Sequence, residues 1–232
     1  MQPTRPAIEA LERIQLFSGL APTDLVRLAE GLRTRRFRRG EVLFHQGDPG
    51  DSLFIVSSGA VKIVLPSEEG DEAILTSIRP GSFFGELALL DGAPRSATAV
   101  AMEPTETLVL RREAFRALID TSAEARDALL AALAGELRRL TAHVEELHFL
   151  DMTGRLAALL ARLAQESGIP ADDGSIRLDR PFTQGDLAAM IGATRQSVNK
   201  LLGMFVDDGL LRVDRDTIVV LDLAGLLRAS RR

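Results

Sequence analysis

The sequence predicts an α+β fold in three parts. These are an antiparallel β-roll of jelly-roll type, a long helix, and a C-terminal winged helix-turn-helix. Three observations carry the prediction. Gly59, Gly70, Gly81 and Gly92 recur every eleven residues, with short apolar, β-branched runs between them. Leucines then follow a heptad spacing. Two short helical patterns separated by a tight turn, and a final hairpin, end the chain. The expected boundaries are 1–111 for the roll, 112–150 for the helix and its hinge, and 151–232 for the winged helix.

The first part opens with helical spacing at Ile8, Leu11 and Ile14, and again at Leu25, Leu28 and Leu32. Regular turns follow, beginning with Gly47-Asp48-Pro49-Gly50-Asp51. The runs Leu53–Val56, Val61–Leu65, Ala73–Ile78 and Thr98–Ala101 read as strands. Short strands at this interval indicate a sandwich, barrel or jelly roll. The residues between the turns do not match, so this is a rhythm and not a repeat.

The second part reads as one helix from about Arg112 to Leu147. Leu130, Leu133, Leu137, Leu140, Val144 and Leu147 are spaced 3, 4, 3, 4, 3. That seam favours pairing with an identical helix. Packing on the chain's own sandwich is the alternative.

In the third part, Asp151 caps a helix whose apolar face is Leu156, Leu159, Leu160 and Leu163. Gln165–Ser175 is a loop. Thr183 caps a short helix, with Asp186 completing an imperfect capping box. Gly192-Ala193 turns the chain, and Thr194 caps a second helix with Val198, Leu201, Leu202 and Phe205 inward. Asp207-Asp208-Gly209 ends it. Leu210–Val213 and Thr217–Leu221 form a hairpin around Asp214-Arg215-Asp216. Helix, turn, helix and hairpin make a winged helix-turn-helix.

Composition narrows the chemistry. The 232 residues carry 28 basic and 33 acidic side chains, a net charge of −5. A uniformly basic coat for nucleic acid is excluded, but a local basic site is not. There is no cysteine, which excludes disulfides, thiol catalysis, iron–sulfur clusters and cysteine zinc sites. His45, His143 and His148 are the only histidines, so no metal centre is expected. No His/Asp cluster or activated nucleophile supports an enzyme. No run approaches a membrane span of ~18 apolar residues. Met1-Gln2-Pro3-Thr4-Arg5-Pro6 lacks the apolar run of a secretory signal, so a cytoplasmic location is expected.

Two clusters carry recognition chemistry. On the second helix of the winged part, Arg195, Gln196, Ser197, Asn199 and Lys200 lie where a recognition helix meets the major groove. Arginine bonds guanine bidentately, glutamine does so with adenine, and lysine reaches guanine or phosphate. Residues 152–232 hold 11 basic and 10 acidic residues, so binding there would rely on local charge and on doubled contacts in a dimer. A winged helix that contacts protein is the alternative. In the roll, Gly85-Glu86-Leu87 opens a short helix, and Arg95 follows Glu86 by nine residues. Backbone N–H groups and a guanidinium both favour a phosphate, and Glu86 can accept from a ribose hydroxyl. By spacing alone, Glu86 and Arg95 could equally form a structural ion pair.

Gly85-Glu86-Leu87-Ala88-Leu89 through Pro94-Arg95-Ser96-Ala97-Thr98 closely resembles the phosphate cassette of cyclic-nucleotide-binding domains. Phe149-Leu150-Asp151-Met152-Thr153-Gly154-Arg155 is similar to the hinge of bacterial regulators of the cyclic-AMP receptor protein (CRP/FNR) family. Gly192-Ala193-Thr194-Arg195-Gln196-Ser197-Val198 resembles the entry to their recognition helix. With three motifs in order, the chain from about Leu16 to Val220 resembles that family. The resemblance implies a homodimeric transcription regulator that binds a palindromic DNA site under cyclic-AMP control. Glu86 would bind the ribose 2′-OH, and Arg95 and Ser96 the cyclic phosphate. Gly85 and Ala97 would contribute backbone, with Leu87 beside them in the cassette. Thr183, Thr194, Arg195, Gln196, Ser197, Asn199 and Lys200 would contact DNA.

Two departures matter. The family places two hydroxyl residues against adenine, and here those positions are Leu140 and Thr141. Thr141 can make the contact within its own subunit; Leu140 cannot replace a hydroxyl. A regulator that needs no effector, or that answers a cyclic dinucleotide, is therefore the second expectation. In the recognition series, Arg195, Gln196 and Lys200 stand where the best-known pattern has arginine, glutamate and arginine, which predicts a changed base preference at Gln196. RNA polymerase is a further partner the family implies. Gln165–Ser175 is a candidate contact for it, and equally an ordinary connection.

Overall fold

A computed structural model describes residues 11, 14, 17, 20–69, 71–179, 182–214 and 217–230. Ile8, Leu16, Gly70, Arg215 and Asp216, which figure in the sequence reading, lie outside the described residues. The chain divides into two compact units, 1–137 and 138–232.

In the first unit, α1 (Pro22–Gly31) begins with a proline in its first turn, where no N–H is needed. Strands β1 (Arg33–Phe37), β2 (Val42–Phe44), β3 (Ser52–Ser58), β4 (Val61–Pro66), β5 (Glu72–Ile78) and β6 (Phe83–Phe84) follow. Then come α2 (Leu87–Asp91), β7 (Thr98–Ala101) and β8 (Thr105–Arg111). The strands form two antiparallel sheets, β1-β8-β3-β6 and β2-β7-β4-β5. All four strands read from the sequence are present.

Strand β3 shows why the roll holds. Leu53 and Ile55 enter a core shared with Phe115, Leu118 and Leu11, while Phe54 and Val56 enter one shared with Phe84, Val61 and Ala99. Alternate side chains leave a strand on opposite faces. An unbroken apolar run therefore means a strand covered on both sides, by helices and by the second sheet.

The predicted long helix is two helices, α3 (Arg112–Thr121) and α4 (Ala123–Phe149). Ser122 interrupts it in an extended conformation, φ −113° and ψ 118°. Its Oγ accepts from the Ala125 N–H at 3.1 Å and donates to Glu124 at 3.0 Å. A hydroxyl cap followed by an acid in the first turn starts a new helix. The heptad seam lies wholly on α4.

In the second unit, α5 (Met152–Ser167) starts where Asp151 Oδ1 accepts from Gly154 N–H at 2.7 Å. Strands β9 (Ile169–Pro170) and β10 (Ile176–Asp179) then pair, so the predicted loop contains a short strand. After α6 (Gln184–Ile191) and α7 (Arg195–Asp207) comes the wing, β11 (Leu211–Asp214) and β12 (Thr217–Val220). The sheet order is β11-β12-β10-β9. A last helix, α8 (Leu223–Ala229), packs along α5.

Candidate functional site

The cassette is built on two loops pinned to each other. Arg95 N–H donates to Asp48 O, and Gly47 N–H donates to Arg95 O, both at 2.9 Å. Asp48 Oδ2 accepts from His45 N–H at 2.8 Å and stiffens that turn. Gly50 and Gly85 allow the close approach. A Cβ on Gly50 would sit 2.3 Å from the Ala88 Cβ. One on Gly85, whose φ is +83°, would sit 2.6 Å from Arg95 Nη1.

Arg95 is only 5% exposed. Its Nη1 donates to Gly85 O and its Nη2 to Ser52 O, each at 2.7 Å. The guanidinium lies 4.2 Å from the centre of the Phe44 ring and 5.7 Å from that of Phe54. Its Nε is buried with no partner. Arg95 makes no ion pair with Glu86 or any other described carboxylate, so the structural ion pair that spacing allowed is not formed. Burial pushes the guanidinium below its ordinary value, opposed first by the charge of Asp51 and then of Glu86. Arginine nonetheless keeps its charge.

Glu86 precedes α2 and is half-buried; its carbonyl accepts from Leu89 and Leu90. Burial raises its carboxyl above the ordinary value, the backbone opposes this, and the Glu136 carboxylate raises it further. Leu87 and Ser96 are exposed, and Ala97 is buried. Gly85, Glu86, Leu87, Arg95, Ser96 and Ala97 thus come together within the first unit. Thr141 lies on α4 within the second unit, and is exposed.

Sequence reading missed Arg112 and the two phenylalanines. Arg112 Nη2 donates to the carbonyls of Gly50 and, at 3.0 Å, Ala88. It therefore holds the 47–51 turn to α2. Its partners are 62 and 24 residues away, so no local pattern announces it.

The winged helix presents the other surface. Thr183 and Asp186 complete a capping box, with Asp186 N–H donating to Thr183 Oγ1 at 3.1 Å and Thr183 N–H to Asp186 Oδ2 at 2.8 Å. Thr194 Oγ1 accepts from Ser197 N–H at 3.1 Å. Val198, Leu201, Leu202 and Phe205 are buried. Arg195, Gln196, Asn199 and Lys200 are exposed, and Ser197 is half-buried. Gln184 donates to Asn199 Oδ1 at 3.3 Å and ties the two helices together. Among the described residues, the side chains of Arg195, Gln196 and Lys200 have no bonding partner.

At the hinge, Arg155 donates to the carbonyls of Leu147 (2.7 Å), Leu150 (3.0 Å) and Ile191 (3.4 Å). It satisfies carbonyls at the end of α4 and of α6. Of the heptad residues, Leu133 packs against the roll core. Leu130, Leu137 and Val144 stand 63%, 67% and 53% exposed, with Leu147 exposed beside them and Leu140 half-buried. Helix α4 thus has one face on its own roll and a second apolar face open.

A buried guanidinium in a glycine-built turn, and a polar helix end on a capped helix-turn-helix, agree with known proteins. Residues 34–122 match the cyclic nucleotide-binding domain, and residues 154–229 match the Crp-like helix-turn-helix domain. A CRP-like cAMP-activated global transcriptional regulator of Mycobacterium tuberculosis is 35% identical over 223 residues, covering 96% of this chain and 99% of that one. The chain belongs to the CRP family of transcription regulators. A CRP/FNR-family regulator of Thermus thermophilus matches in structure with a TM-score of 0.71 at 29% identity, over 86% of this chain and 99% of that one. A c-di-GMP responsive global regulator of Xanthomonas campestris shares the fold, with a TM-score of 0.76 at 24% identity over 87% and 100%. As a CRP-family member, this chain is a DNA-binding transcription regulator with a cyclic nucleotide-binding domain. Among the described residues, no helix is long and apolar enough to cross a membrane, and no cluster of three His, Asp or Glu could hold a metal.

Proposed function

We propose that the chain is a homodimeric, cytoplasmic regulator, not an enzyme, whose binding to a palindromic DNA site is switched by cyclic AMP. One observation carries the effector reading. Arg95 is a buried cation held by two carbonyls and faced by no bonded carboxylate, with its Nε unpartnered. A buried guanidinium with no carboxylate bonded to it and one N–H unpartnered is costly, and a cyclic phosphate supplies a directly bonded anion. Ser96 and the backbone of Gly85 and Ala97 line the same turn, and Glu86 accepts from the ribose 2′-OH. The cAMP-activated relative from M. tuberculosis supports this ligand.

The open face of α4 supports the dimer. Apolar side chains at heptad spacing gain by burial against a second copy. Effector binding beside α2 would bias that pairing and so the spacing of two recognition helices, about one DNA turn of ~34 Å apart. Arg195 reads guanine, Gln196 adenine, and Lys200 guanine or phosphate, with Thr183, Thr194, Ser197 and Asn199 beside them. RNA polymerase is the partner such a regulator acts on.

Leu140 motivates the second reading. With no hydroxyl there, the cross-subunit contact to adenine is lost, and the dimer would bind DNA without effector or with a cyclic dinucleotide. Calorimetric titration with cyclic AMP, paired with DNA affinity measured with and without it, decides. One nucleotide bound per subunit and tighter DNA binding uphold the first reading. No heat at two temperatures, with unchanged DNA affinity, favours the second, and a titration with cyclic dinucleotides then separates its two forms.

A further inference from the structure

Helix α4 turns one face to the roll. Ala125 and Leu129 are buried in the same core as Leu89, and Leu133 packs against it. Glu136 comes three residues later, and an α-helix returns to the same face after three or four. Leu89 itself is three residues beyond Glu86, at the start of α2. This sets Glu136 beside the end of the cassette that carries Glu86. The charge acting most strongly on Glu86 is the Glu136 carboxylate, ahead of Arg95.

The charges that act on Arg95 are Asp51, Glu86, Arg112 and Asp48. Arg112 is already bonded to the carbonyls of Gly50 and Ala88. Among the described residues, one buried guanidinium, its Nε unpartnered, thus remains for an incoming anion, with the carboxylates of Asp51, Glu86 and Asp48 acting on it and Glu136 acting on Glu86.

We propose that Glu136 is a specificity residue: with Glu86 it makes the site accept one phosphodiester charge at Arg95 and refuse a ligand that brings a second. The proposal rests on the cyclic-nucleotide reading and narrows it to cyclic mononucleotides. Carboxylates accept bonds from ribose hydroxyls and amines, so they favour the uncharged parts of such a ligand. A second phosphate within about 10 Å of Glu136 meets a like charge worth about tenfold in affinity at an effective permittivity of about 20.

The test titrates the full chain and Glu136→Gln with cyclic AMP and with cyclic di-GMP, at two salt concentrations. Glutamine keeps the helix propensity and shape while removing the charge. In the wild type, cyclic AMP is expected to bind and cyclic di-GMP to bind more weakly. In Glu136→Gln the preference falls about tenfold, and it falls less at high salt because the effect is electrostatic. An equal preference in both proteins overturns the role of Glu136 and leaves the cyclic-AMP reading standing. A wild type that takes cyclic di-GMP more tightly overturns the proposal as well. No binding of either ligand by either protein overturns the cyclic-nucleotide reading, and the proposal with it.

Discussion

Arg95 and Arg195 are the same residue type put to opposite uses. Arg95 is buried, fixed by two carbonyls and stacked on Phe44. Arg195 is exposed at the start of α7, and its side chain makes no bond to another described residue. The first is pre-organised, since its rotamer is set before any ligand arrives. The second must be ordered when it binds. The cost of ordering a long side chain is about 0.5–1.5 kcal/mol, and Arg95 has already met it in folding. The comparison teaches where change is tolerated: around Arg95 a substitution disturbs the fold and the site together, and around Arg195 it changes only what is read.

The largest expected effect is therefore at Arg95. Arg95→Leu removes the one buried cation among the described residues, and charge-assisted bonds are worth about 1.5–3 kcal/mol each. Two such bonds lost predict that affinity for cyclic AMP falls at least about 100-fold, read by calorimetric titration. Retained ligand-stimulated DNA binding in this variant would break the comparison at its first term.

Arg195→Ala comes next. A bidentate arginine–guanine pair discriminates by about 1–3 kcal/mol, so DNA affinity should drop by roughly 30-fold at its base pair. Because the Arg195 side chain bonds to no described residue, the melting temperature should not move. Selection from a random half-site library tests it: lost guanine preference at one position is expected, and an unchanged half-site refutes the assignment.

Thr194→Ala has a smaller effect and sits between the two kinds of site. Thr194 is exposed, yet its Oγ1 caps α7. Loss of an N-cap costs about 1 kcal/mol. Calorimetry of the full chain should show that loss of stability, with base preference unchanged. A variant as stable as the wild type would mean that α7 is held by its buried face alone.

The same contrast explains what was legible in the sequence. The winged helix was, because its signals are local: Thr183 with Asp186, Gly192, and Thr194 each act within a few residues. The recognition face needed only periodicity. Strands between glycine turns were legible too. The edge strand Arg33–Phe37 was not, because Arg33, Arg35 and Arg36 face water and leave no apolar alternation. Thr105–Arg111 was not read, although its Thr105, Thr107, Leu108 and Leu110 are buried. The break at Ser122 had a readable signal, a serine cap with Glu124 two residues later, hidden within a longer helical pattern. At the cassette, the motif residues were found, but the direction of the Arg95 side chain was not. Its partners Ser52, Phe44 and Arg112 come together only through the tertiary fold.

The smallest expected effect depends on pH and on Glu86. Burial, with the Glu136 carboxylate adding to it, holds the Glu86 carboxyl above its ordinary value of 4.5. The folded chain thus holds this proton more readily than the unfolded chain. The stability it contributes is present in full below the unfolded value and is lost as pH rises through the folded one. Glu86→Gln cannot lose a proton, so it should match the wild type in acid and melt above it once Glu86 is ionised. Exposed, uncharged Gln196 has no such linkage, and Gln196→Ala should track the wild type at every pH. Thermal melts of the three proteins without ligand, from about pH 4 to about pH 8, bracket the ordinary carboxylate range. A difference for Glu86→Gln that does not change with pH would place its carboxylate in water, and would make the two surfaces alike where burial now separates them.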